Sequence, residues 1–335
     1  MSRTDIRFAL PSKGRLEPES QAFLEACGLG IYKPNPRQYQ ATVPAVPDLS
    51  VLFQRPGDIV VGVRQGSLDF GIAGLDAVEE KRGDGDDIII LHEALGFGSC
   101  SLALAVPEIW DDVLSVSDLV KRQSRQPDRL RVATKYPNLT RAFLAQHGLS
   151  DVKLIDSEGT LEVAPTIGYA DLIADLVSTG TTLRDNRLRL LADGVILKSQ
   201  AVLIANRSAL QQRPQVLAVA RQLLEFIEAH LRAQGSYLVF ANVRGESPDA
   251  IAQAMLAQPH LGGLQGPTIS PVINREDRTW FDVNIVVRKD RLMPTITELR
   301  AIGGSGVVVT PVTYIFEEEP PRYTQLLRTL ENATA

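Results

Sequence analysis

Short apolar runs alternate with amphipathic stretches along most of the chain. The run "DIRFALP" predicts a buried strand, and apolar residues at helical spacing from Glu17 to Cys27 predict a helix that ends at Gly28. Further along, "DIVVGVRQGSLDFGIAGLDAVEEK" predicts a helix, a turn at Gly66, a buried strand over 70–73 and a second helix. Strands that alternate with helices indicate an α/β fold with a mostly parallel sheet.

A weak internal repeat links two parts of the chain. In both "RQGSLDFGIAGLDAV" and "IGYADLIADLVSTGTTL", a glycine is followed three residues later by an aspartate, then by an apolar strand and a glycine-containing turn. The repeat predicts two α/β lobes that face each other across a cleft, where open α/β sheets bind ligands. We place lobe I at 1–103 and 197–234, with "SQAVLIANRSAL" as a strand returning to it, and lobe II at 104–196.

The pattern changes after Gly235. The segment "RPQVLAVARQLLEFIEAHLRAQ" predicts a long connecting helix that ends at this glycine. Beyond it, strand-like "SYLVFANV", "TWFDVNIVVRK" and "SGVVVTPVTYIF" alternate with two helical segments in a β-α-β-β-α-β order. That order predicts a C-terminal ferredoxin-like α+β domain over 235–335.

Composition and charge exclude several classes of protein. The 335 residues are 44% hydrophobic and 22% charged, with no apolar run long enough to span a bilayer. A net charge of −5 gives no general attraction for nucleic acid. The N-terminal residues lack the apolar segment of a cleavable signal, so we expect a cytoplasmic protein. Two cysteines and four histidines without metal-ligand spacing predict no disulfide and no dedicated metal site.

The segment "STGTTL", residues 178–183, is the first candidate for chemistry. It follows an apolar strand and precedes a helix-compatible stretch, so its amides, its hydroxyls and a helix N-terminus converge on one point. Such a turn binds a phosphate group. A turn that only caps its own helix is an equally good interpretation of the segment in isolation. Asp171 and Asp175 precede it, and either a ribose contact or a simple turn cap fits these carboxylates.

Several other loops supply charged groups or close backbone approach. "LPSKGRL" places Lys13, Gly14 and Arg15 after a strand, and suits a di- or triphosphate without matching the P-loop pattern. "ATKYPNLTRAF" adds Lys135, Tyr136 and Arg141, for which a plain surface loop is the alternative. Glu162 lies in a glycine-bearing turn. Gly71 and Gly74 allow the backbone to approach a ligand closely. We rank these glycines above Asp76, Glu79 and Glu80 as site candidates, because acids in the first turns of a helix are stabilised by its dipole without any ligand.

The ordered set of these segments resembles the ATP phosphoribosyltransferases that begin histidine biosynthesis. The residues that carry the resemblance are "LPSKGRL", "DFGIAGLDAVEE", "VATKYPNLTRAF", "GTLEVAPTIGYADLIADLVSTGTTLRDN" and "GGSGVVVTPVTYIF". The family implies a two-lobed core like type II periplasmic binding proteins, with an ACT-like regulatory domain after it. It also implies condensation of ATP with 5-phosphoribosyl-1-diphosphate, Mg²⁺ carried on the substrate phosphates, and feedback inhibition by L-histidine in a homo-oligomer, dimeric and hexameric.

The resemblance also assigns roles to residues. It places Ser178, Thr179, Gly180, Thr181, Thr182 and Leu183 on the 5′-phosphate, and Asp171, Asp175 and Glu162 near the ribose as catalytic carboxylates. Substrate binding is further assigned to Lys13, Gly14, Arg15, Arg55, Gly74, Lys135, Tyr136 and Arg141. Other phosphoribosyltransferases have adjacent acids before a T-G-x-T turn, which this chain lacks. The resemblance therefore implies that this chain binds the sugar phosphate with a different fold from that of other phosphoribosyltransferases.

The C-terminal domain resembles that of the long-form members. Leu264, Thr268 and Gly306 are the candidate histidine contacts, whereas Ala241 and Val243 stand where some relatives have acids. Two other interpretations stay open: a solute-binding or sensing protein with the same two-lobed fold, and a catalytically silent regulatory paralogue. Covalent catalysis is not indicated, because no G-x-S-x-G elbow is present and the histidines have no evident partners.

Overall fold

A computed structural model describes residues 4–35, 38, 40–125, 128–156, 159–273 and 280–332. The chain divides into two compact units, Met1–Ile227 with Glu319–Ala335, and Glu228–Glu318. The first unit contains both predicted lobes, each built around its own sheet.

Lobe I begins with strands and helices that alternate along the chain. Its elements are β1 (Ile6–Pro11), α1 (Leu16–Ala26), β2 (Gln40–Val43), β3 (Val46–Gln54), α2 (Pro56–Arg64), β4 (Phe70–Gly74), α3 (Leu75–Lys81) and β5 (Ile88–His92). Every residue of β4 is buried, as expected for a central strand whose two faces are both covered.

Lobe II repeats this alternation. Its elements are β6 (Cys100–Pro107), α4 (Val116–Ser124), β7 (Arg131–Thr134), α5 (Pro137–Gln146), β8 (Lys153–Asp156), a single 3₁₀ turn (Leu161–Val163), β9 (Leu172–Val177), α6 (Thr181–Asp185) and β10 (Leu188–Ser199). The chain then returns to lobe I through β11 (Ala201–Asn206), α7 (Arg207–Gln212) and α8 (Pro214–Ala233).

The two sheets share one topology. Lobe I has the order β3-β1-β4-β11-β5 with β2 added at its edge, and lobe II has the order β8-β7-β9-β6-β10. In each sheet the first three of these strands are parallel, and the next two are antiparallel to their neighbours. β4 and β9 therefore occupy equivalent positions, which confirms the internal repeat and the fold of the type II periplasmic binding proteins.

Four of the five equivalent strands in each sheet run in the same direction, which confirms the prediction of mostly parallel sheets; the exceptions are β11 in lobe I and β6 in lobe II. β6 and β11 cross between lobes, and a strand that enters from the other lobe needs no helical crossover, so it can insert antiparallel. The crossing also moves the lobe boundary. β6 joins the second sheet from Cys100 onward, and β10 stays there until Ser199, so both predicted boundaries fall inside strands.

The aspartate that begins each repeat has a structural role. Asp69 donates its N–H to the carbonyl of Arg7 at 3.0 Å, and its carboxylate accepts from the N–H of Arg7 at 2.8 Å. Asp171 and Arg131 form the same pair of bonds in lobe II, at 2.8 and 2.7 Å. The aspartate thus fixes the start of β4 against the start of β1 in lobe I, and the start of β9 against the start of β7 in lobe II.

The second unit confirms the predicted ferredoxin-like domain. It contains β12 (Ser236–Arg244), α9 (Pro248–Leu256), β13 (Thr268–Pro271), β14 (Trp280–Arg288), α10 (Leu292–Ala301) and β15 (Gly304–Pro311). The sheet is antiparallel with the order β13-β14-β12-β15. Its core joins the inward side chains of the central strands to Ile251 and Met255 of α9 and Leu299 of α10.

The last helix, α11 (Pro321–Asn332), belongs to the first unit, so the predicted domain 235–335 is too long at its C-terminal end. Leu326 and Leu330 are buried, and Arg322 donates two hydrogen bonds to Glu93, just after the edge strand β5, at 3.0 and 2.5 Å. This ion pair lowers the pKa of Glu93 to about 2. An edge strand needs such cover, because its free backbone groups otherwise pair with other chains.

The described part of the chain contains no helix that is long and apolar enough to cross a bilayer.

We expect Asp69→Asn to destabilise the protein far more than Asp171→Asn. The Asp69 side chain is 0% exposed and pairs with Arg213 at 2.8 Å, whereas that of Asp171 is 27% exposed. Breaking a buried ion pair costs about 3 kcal/mol or more, and an exposed one about 1 kcal/mol or less. Urea denaturation of both variants measures the difference, and equal losses would contradict the assigned burial.

A second prediction concerns pH and His92, beneath α11. Burial, with a smaller effect of Arg322, lowers the pKa of His92 from 6.5 to about 4. Between these values the unfolded chain binds the proton and the folded chain does not, so stability falls as the pH drops from 6.5 to 4. Urea midpoints across this range should fall less steeply in His92→Gln; identical slopes would show that His92 contributes nothing.

Candidate functional site

The carboxyl ends of the lobe I strands form one wall of the candidate site. β1 and β3 end together because the N–H of Ser12 donates to the carbonyl of Gln54 at 2.8 Å. Lys13, Gly14 and Arg15 follow as an exposed loop with Gly14 at φ +76°, and Arg55 lies exposed at the start of α2. The structure thus places all three predicted cations at one edge of the sheet.

Gly74 ends β4 at the same edge, and its lack of a side chain serves a neighbouring acid. A Cβ atom at this position would lie 2.3 Å from Oδ1 of Asp76. The glycine therefore makes room for the buried carboxylate of Asp76, which turns back over the strand end. The predicted contact between Gly74 and a substrate stays a prediction.

The second wall consists of the carboxyl ends of β7 and β9, which are parallel neighbours. Lys135 and Tyr136 follow β7, and Asp175 lies near the end of β9. Burial raises the pKa of Asp175, Lys135 lowers it and Glu162 raises it slightly. Lys135 and Glu162 therefore both lie within electrostatic range of Asp175.

The loop after β9 has the geometry of an open anion site. Gly180 has a φ of +71°, and α6 begins at the next residue. The hydroxyls of Thr179 and Thr181 are 3.2 Å apart, and the side chains of Ser178, Thr179, Thr181 and Thr182 are exposed. Leu183 instead lies in the lobe II core at 5% exposure. Its side chain anchors the loop, so only its backbone N–H is available for the predicted phosphate contact.

A cavity of about 420 Å³ lies beside this loop, where the chain crosses between the lobes. Small polar side chains dominate its lining: Leu75, Ser99, Cys100, Ser101, Val177, Ser178, Lys198, Ser199 and Gln200. Arg15 reaches the same region and donates to the carbonyl of Ser99 at 2.9 Å. Burial raises the pKa of Cys100, so this thiol is a poor nucleophile.

Sequence reasoning missed part of this lining. Cys100, Lys198 and Ser199 carry no motif, but all three lie within three residues of the lobe boundaries predicted at 103 and 197. In a two-lobed protein, the segments that cross between the lobes line the bottom of the cleft. The position of the crossover could therefore have predicted these lining residues.

A direct side-chain contact joins the two walls. Tyr136 donates its hydroxyl to Oδ2 of Asp76 at 2.8 Å. Burial, followed by the charge of Asp76, raises the pKa of this tyrosine well above its usual range. Tyr136 is therefore a hydrogen-bond donor at neutral pH. Asp76, which we ranked below Gly71 and Gly74 as a candidate on the sequence alone, belongs to the site.

Two predicted residues lie away from these walls. Asp171 lies at the opposite end of β9 from the loop and forms an ion pair with Arg131 at 2.8 Å, so its predicted catalytic role is wrong. A strand of six residues separates it from Ser178, a distance of roughly 20 Å. Arg141 lies exposed in the second turn of α5, past the wall that Lys135 and Tyr136 form.

The candidate regulatory residues belong to the second unit, where they do not form one pocket. Thr268 pairs with Asn284, Asn284 with Phe240, and Phe240 with Val308, two residues from Gly306. Thr268 and Gly306 thus lie on opposite edges of the sheet, about 14 Å apart at the usual strand spacing. One amino-acid molecule cannot contact both in a single chain. Leu264 is exposed in the loop before β13.

Comparison with known proteins identifies the family. The model of the HisG family, ATP phosphoribosyltransferase, matches residues 55–229, and that of the HisG C-terminal domain matches residues 233–314. The chain belongs to the ATP phosphoribosyltransferase family. The second match makes it a long-form member.

Similar proteins support this assignment along nearly the whole chain. "ATP phosphoribosyltransferase 2, chloroplastic" of Arabidopsis thaliana is 45% identical over 98% of this chain and 82% of its own length. "ATP phosphoribosyltransferase" of Nitrobacter winogradskyi is 34% identical over 96% of this chain and 98% of its own. The solved ATP phosphoribosyl transferase (HisG:HisZ) complex from Thermotoga maritima has a chain with a TM-score of 0.52 at 24% identity, covering 67% of this chain and 98% of that one. This last likeness shows a shared fold.

Proposed function

We propose that this ATP phosphoribosyltransferase condenses ATP with 5-phosphoribosyl-1-diphosphate between the two walls described above. The products are phosphoribosyl-ATP and diphosphate, in the committing step of L-histidine biosynthesis. The observation that carries the proposal is that one cleft of this family member brings together an open anion loop, a carboxylate pair and three cations.

The loop Ser178–Leu183 binds the 5′-phosphate of the sugar. Its exposed hydroxyls and the first amides of α6, which have no partner within the helix, are suitable donors for phosphate oxygens. The neighbouring carboxylates of Asp175 and Glu162 face the ribose. They accept hydrogen bonds from its hydroxyls and stabilise positive charge on the ring in the transition state.

Lys13, Arg15 and Arg55 on the opposite wall face the diphosphate and the phosphates of ATP. Arginine pairs with phosphate through two N–H groups at once, which suits a charged leaving group. Mg²⁺ carried on the diphosphate would neutralise part of its charge. Asp175 and Glu162 are oxygen donors of the kind Mg²⁺ prefers, while the described residues include no group of three or more His, Cys, Asp or Glu side chains placed to hold an ion.

The reaction itself needs no protein nucleophile. Nitrogen 1 of adenine forms a bond to the anomeric carbon as the bond from that carbon to the diphosphate oxygen breaks, which inverts the centre. The electron pair of the broken bond leaves with the diphosphate. Positioning and charge stabilisation by the two walls supply the catalysis.

The direct test is to mix the purified chain with ATP, Mg²⁺ and 5-phosphoribosyl-1-diphosphate and to follow near-ultraviolet absorbance as adenine is alkylated. We expect product formation that depends on both substrates. Binding of both substrates without turnover would favour the sensing or silent-paralogue interpretation and would overturn the proposed activity.

Thr181→Val tests the phosphate loop. Loss of one hydroxyl donor should weaken binding of 5-phosphoribosyl-1-diphosphate by roughly 1–3 kcal/mol, about fivefold or more. Thr166→Val, an exposed turn residue of the same lobe outside the loop, is the matched control and should bind normally. Calorimetric titration of both variants decides, and unchanged affinity in Thr181→Val would remove this side chain from the site.

We further propose that the C-terminal domain binds L-histidine as an inhibitor and that the chain forms homo-oligomers, a dimer and a hexamer. Since Thr268 and Gly306 are on opposite sheet edges, a histidine that contacts both must lie between two copies of the domain. The apparent affinity for histidine should then increase with protein concentration over the range in which the chain assembles. Titrations combined with sedimentation measure this, and full-affinity binding to the monomer would contradict it.

The cellular location stays a prediction. The sequence favours the cytoplasm, whereas two Arabidopsis relatives at 45% and 44% identity carry the word chloroplastic in their names. Fractionation of the source cells with an antibody to the chain distinguishes the two.

A further inference from the structure

Helix α3 of lobe I carries two buried carboxylates on one face. Asp76 and Glu80 are four residues apart in this helix, so their side chains point the same way. Each residue is only 6% exposed. Burying a carboxylate is costly unless hydrogen bonds replace its water, so the partners of these two groups show what the helix face contacts.

Asp76 joins three parts of the site. Its Oδ1 accepts from the hydroxyl of Ser199 at 2.5 Å, and its Oδ2 accepts from Tyr136 at 2.8 Å. Its backbone N–H donates to the Ser199 oxygen at 3.0 Å, which closes a small ring of bonds. Ser199 lines the cavity at the lobe crossover, and Tyr136 belongs to the lobe II wall.

Glu80 caps a helix of the other lobe. Its Oε1 accepts from the N–H of Asn138 and its Oε2 from the N–H of Leu139, both at 3.0 Å, while its backbone carbonyl accepts from Nδ2 of Asn138 at 3.2 Å. These amides are in the first turn of α5, where Tyr136 at the cap position makes no side-chain cap of its own. Lobe I thus supplies the N-terminal cap and the negative charge that the dipole of this helix favours.

The bonds of Asp76 and Glu80 have directions that an apolar contact lacks. Asp76 joins α3 to the hydroxyl of Tyr136, the residue just before α5, and to Ser199 at the end of β10. Glu80 joins α3 to two backbone amides in the first turn of α5. The contact therefore sets both the distance and the orientation between the two walls of the cleft, in the chain without substrates.

We propose that Asp76 and Glu80 are positioning residues for the transfer reaction: through Tyr136 and the first turn of α5 they hold the lobe II wall at the reactive distance from lobe I. The proposal rests on the proposed function. Each substrate still has the groups of its own wall when the contact is weakened, so binding survives. The alignment of adenine with the anomeric carbon is lost, however, and a displacement of about 1 Å can lower the rate about a hundredfold.

Glu80→Gln is the primary test, because this side chain lies at the helix cap and not in the cavity lining. Glutamine keeps one acceptor oxygen but turns an NH₂ group toward the second amide. We expect kcat to fall about tenfold or more while KM for 5-phosphoribosyl-1-diphosphate stays within about threefold, in a protein that melts within about 5 °C of the wild type. Asn138→Ala removes only the partly buried side-chain bond to the Glu80 carbonyl and should give a smaller fall in kcat of the same kind.

Asp118→Asn is the matched control. Asp118 also accepts from a helix-capping residue, Ser115, but both lie within lobe II. The Asp118→Asn protein should be less stable than the wild type but should keep the wild-type kcat. A folded Glu80→Gln protein with wild-type kcat, or equal kcat losses in Glu80→Gln and Asp118→Asn, would overturn the proposal. Wild-type chain without phosphoribosyl-ATP formation would instead refute the proposed function, so the two failures are distinguishable.

Discussion

The site depends on two short segments that cross side by side between the lobes. The N–H of Ala201 donates to the carbonyl of Phe97 at 3.0 Å, and the N–H of Leu95 donates to the carbonyl of Ala201 at 3.2 Å. Gly98 follows Phe97 directly at φ +71°, and a Cβ atom at this position would approach Leu16 to 2.5 Å. Because each segment leads into the sheet of the other lobe, the carboxyl ends of both parallel strand sets come together over the crossing. Loops that are more than a hundred residues apart in sequence thereby form one cleft.

The repeated topology explains which sequence signals were informative. The glycine and aspartate that begin each repeat stand out in the sequence because they recur. The structure shows that the recurring aspartate serves to join neighbouring strands. Asp69 and Asp171 fix equivalent strand starts, at the end of each sheet remote from the cleft. Recurrence within the chain therefore indicated architecture, whereas the candidate site residues lie near or just after the carboxyl ends of the strands. Asp175, four residues after Asp171, meets that criterion; Asp171 does not.

Local patterns were enough to predict most of the fold. Alternating apolar and polar segments with glycine stops gave the helices, the two lobes and the C-terminal domain, because each element's buried face leaves a period in the sequence. They could not give strand direction at the crossing, or the return of α11 to the first unit, since both depend on contacts between distant parts of the chain. The contact of Asp76 and Glu80 with lobe II was hidden for the same reason. Asp76 lies in the first turn of α3, where an acid is usual for the dipole of its own helix, and nothing local shows that Glu80 caps another helix.

The proposed chemistry depends on the different groups that the two walls of the cleft supply. One wall holds an anion loop beside carboxylates, the other holds cations, and the reaction needs the two at a fixed separation. A crystal structure of the chain with 5-phosphoribosyl-1-diphosphate and Mg²⁺ tests this arrangement most directly. The account predicts the 5′-phosphate against the amides of 178–183, with Asp175 beside the ribose and the diphosphate directed toward Lys13 and Arg15. A sugar phosphate bound elsewhere, with the loop after β9 empty, would contradict it.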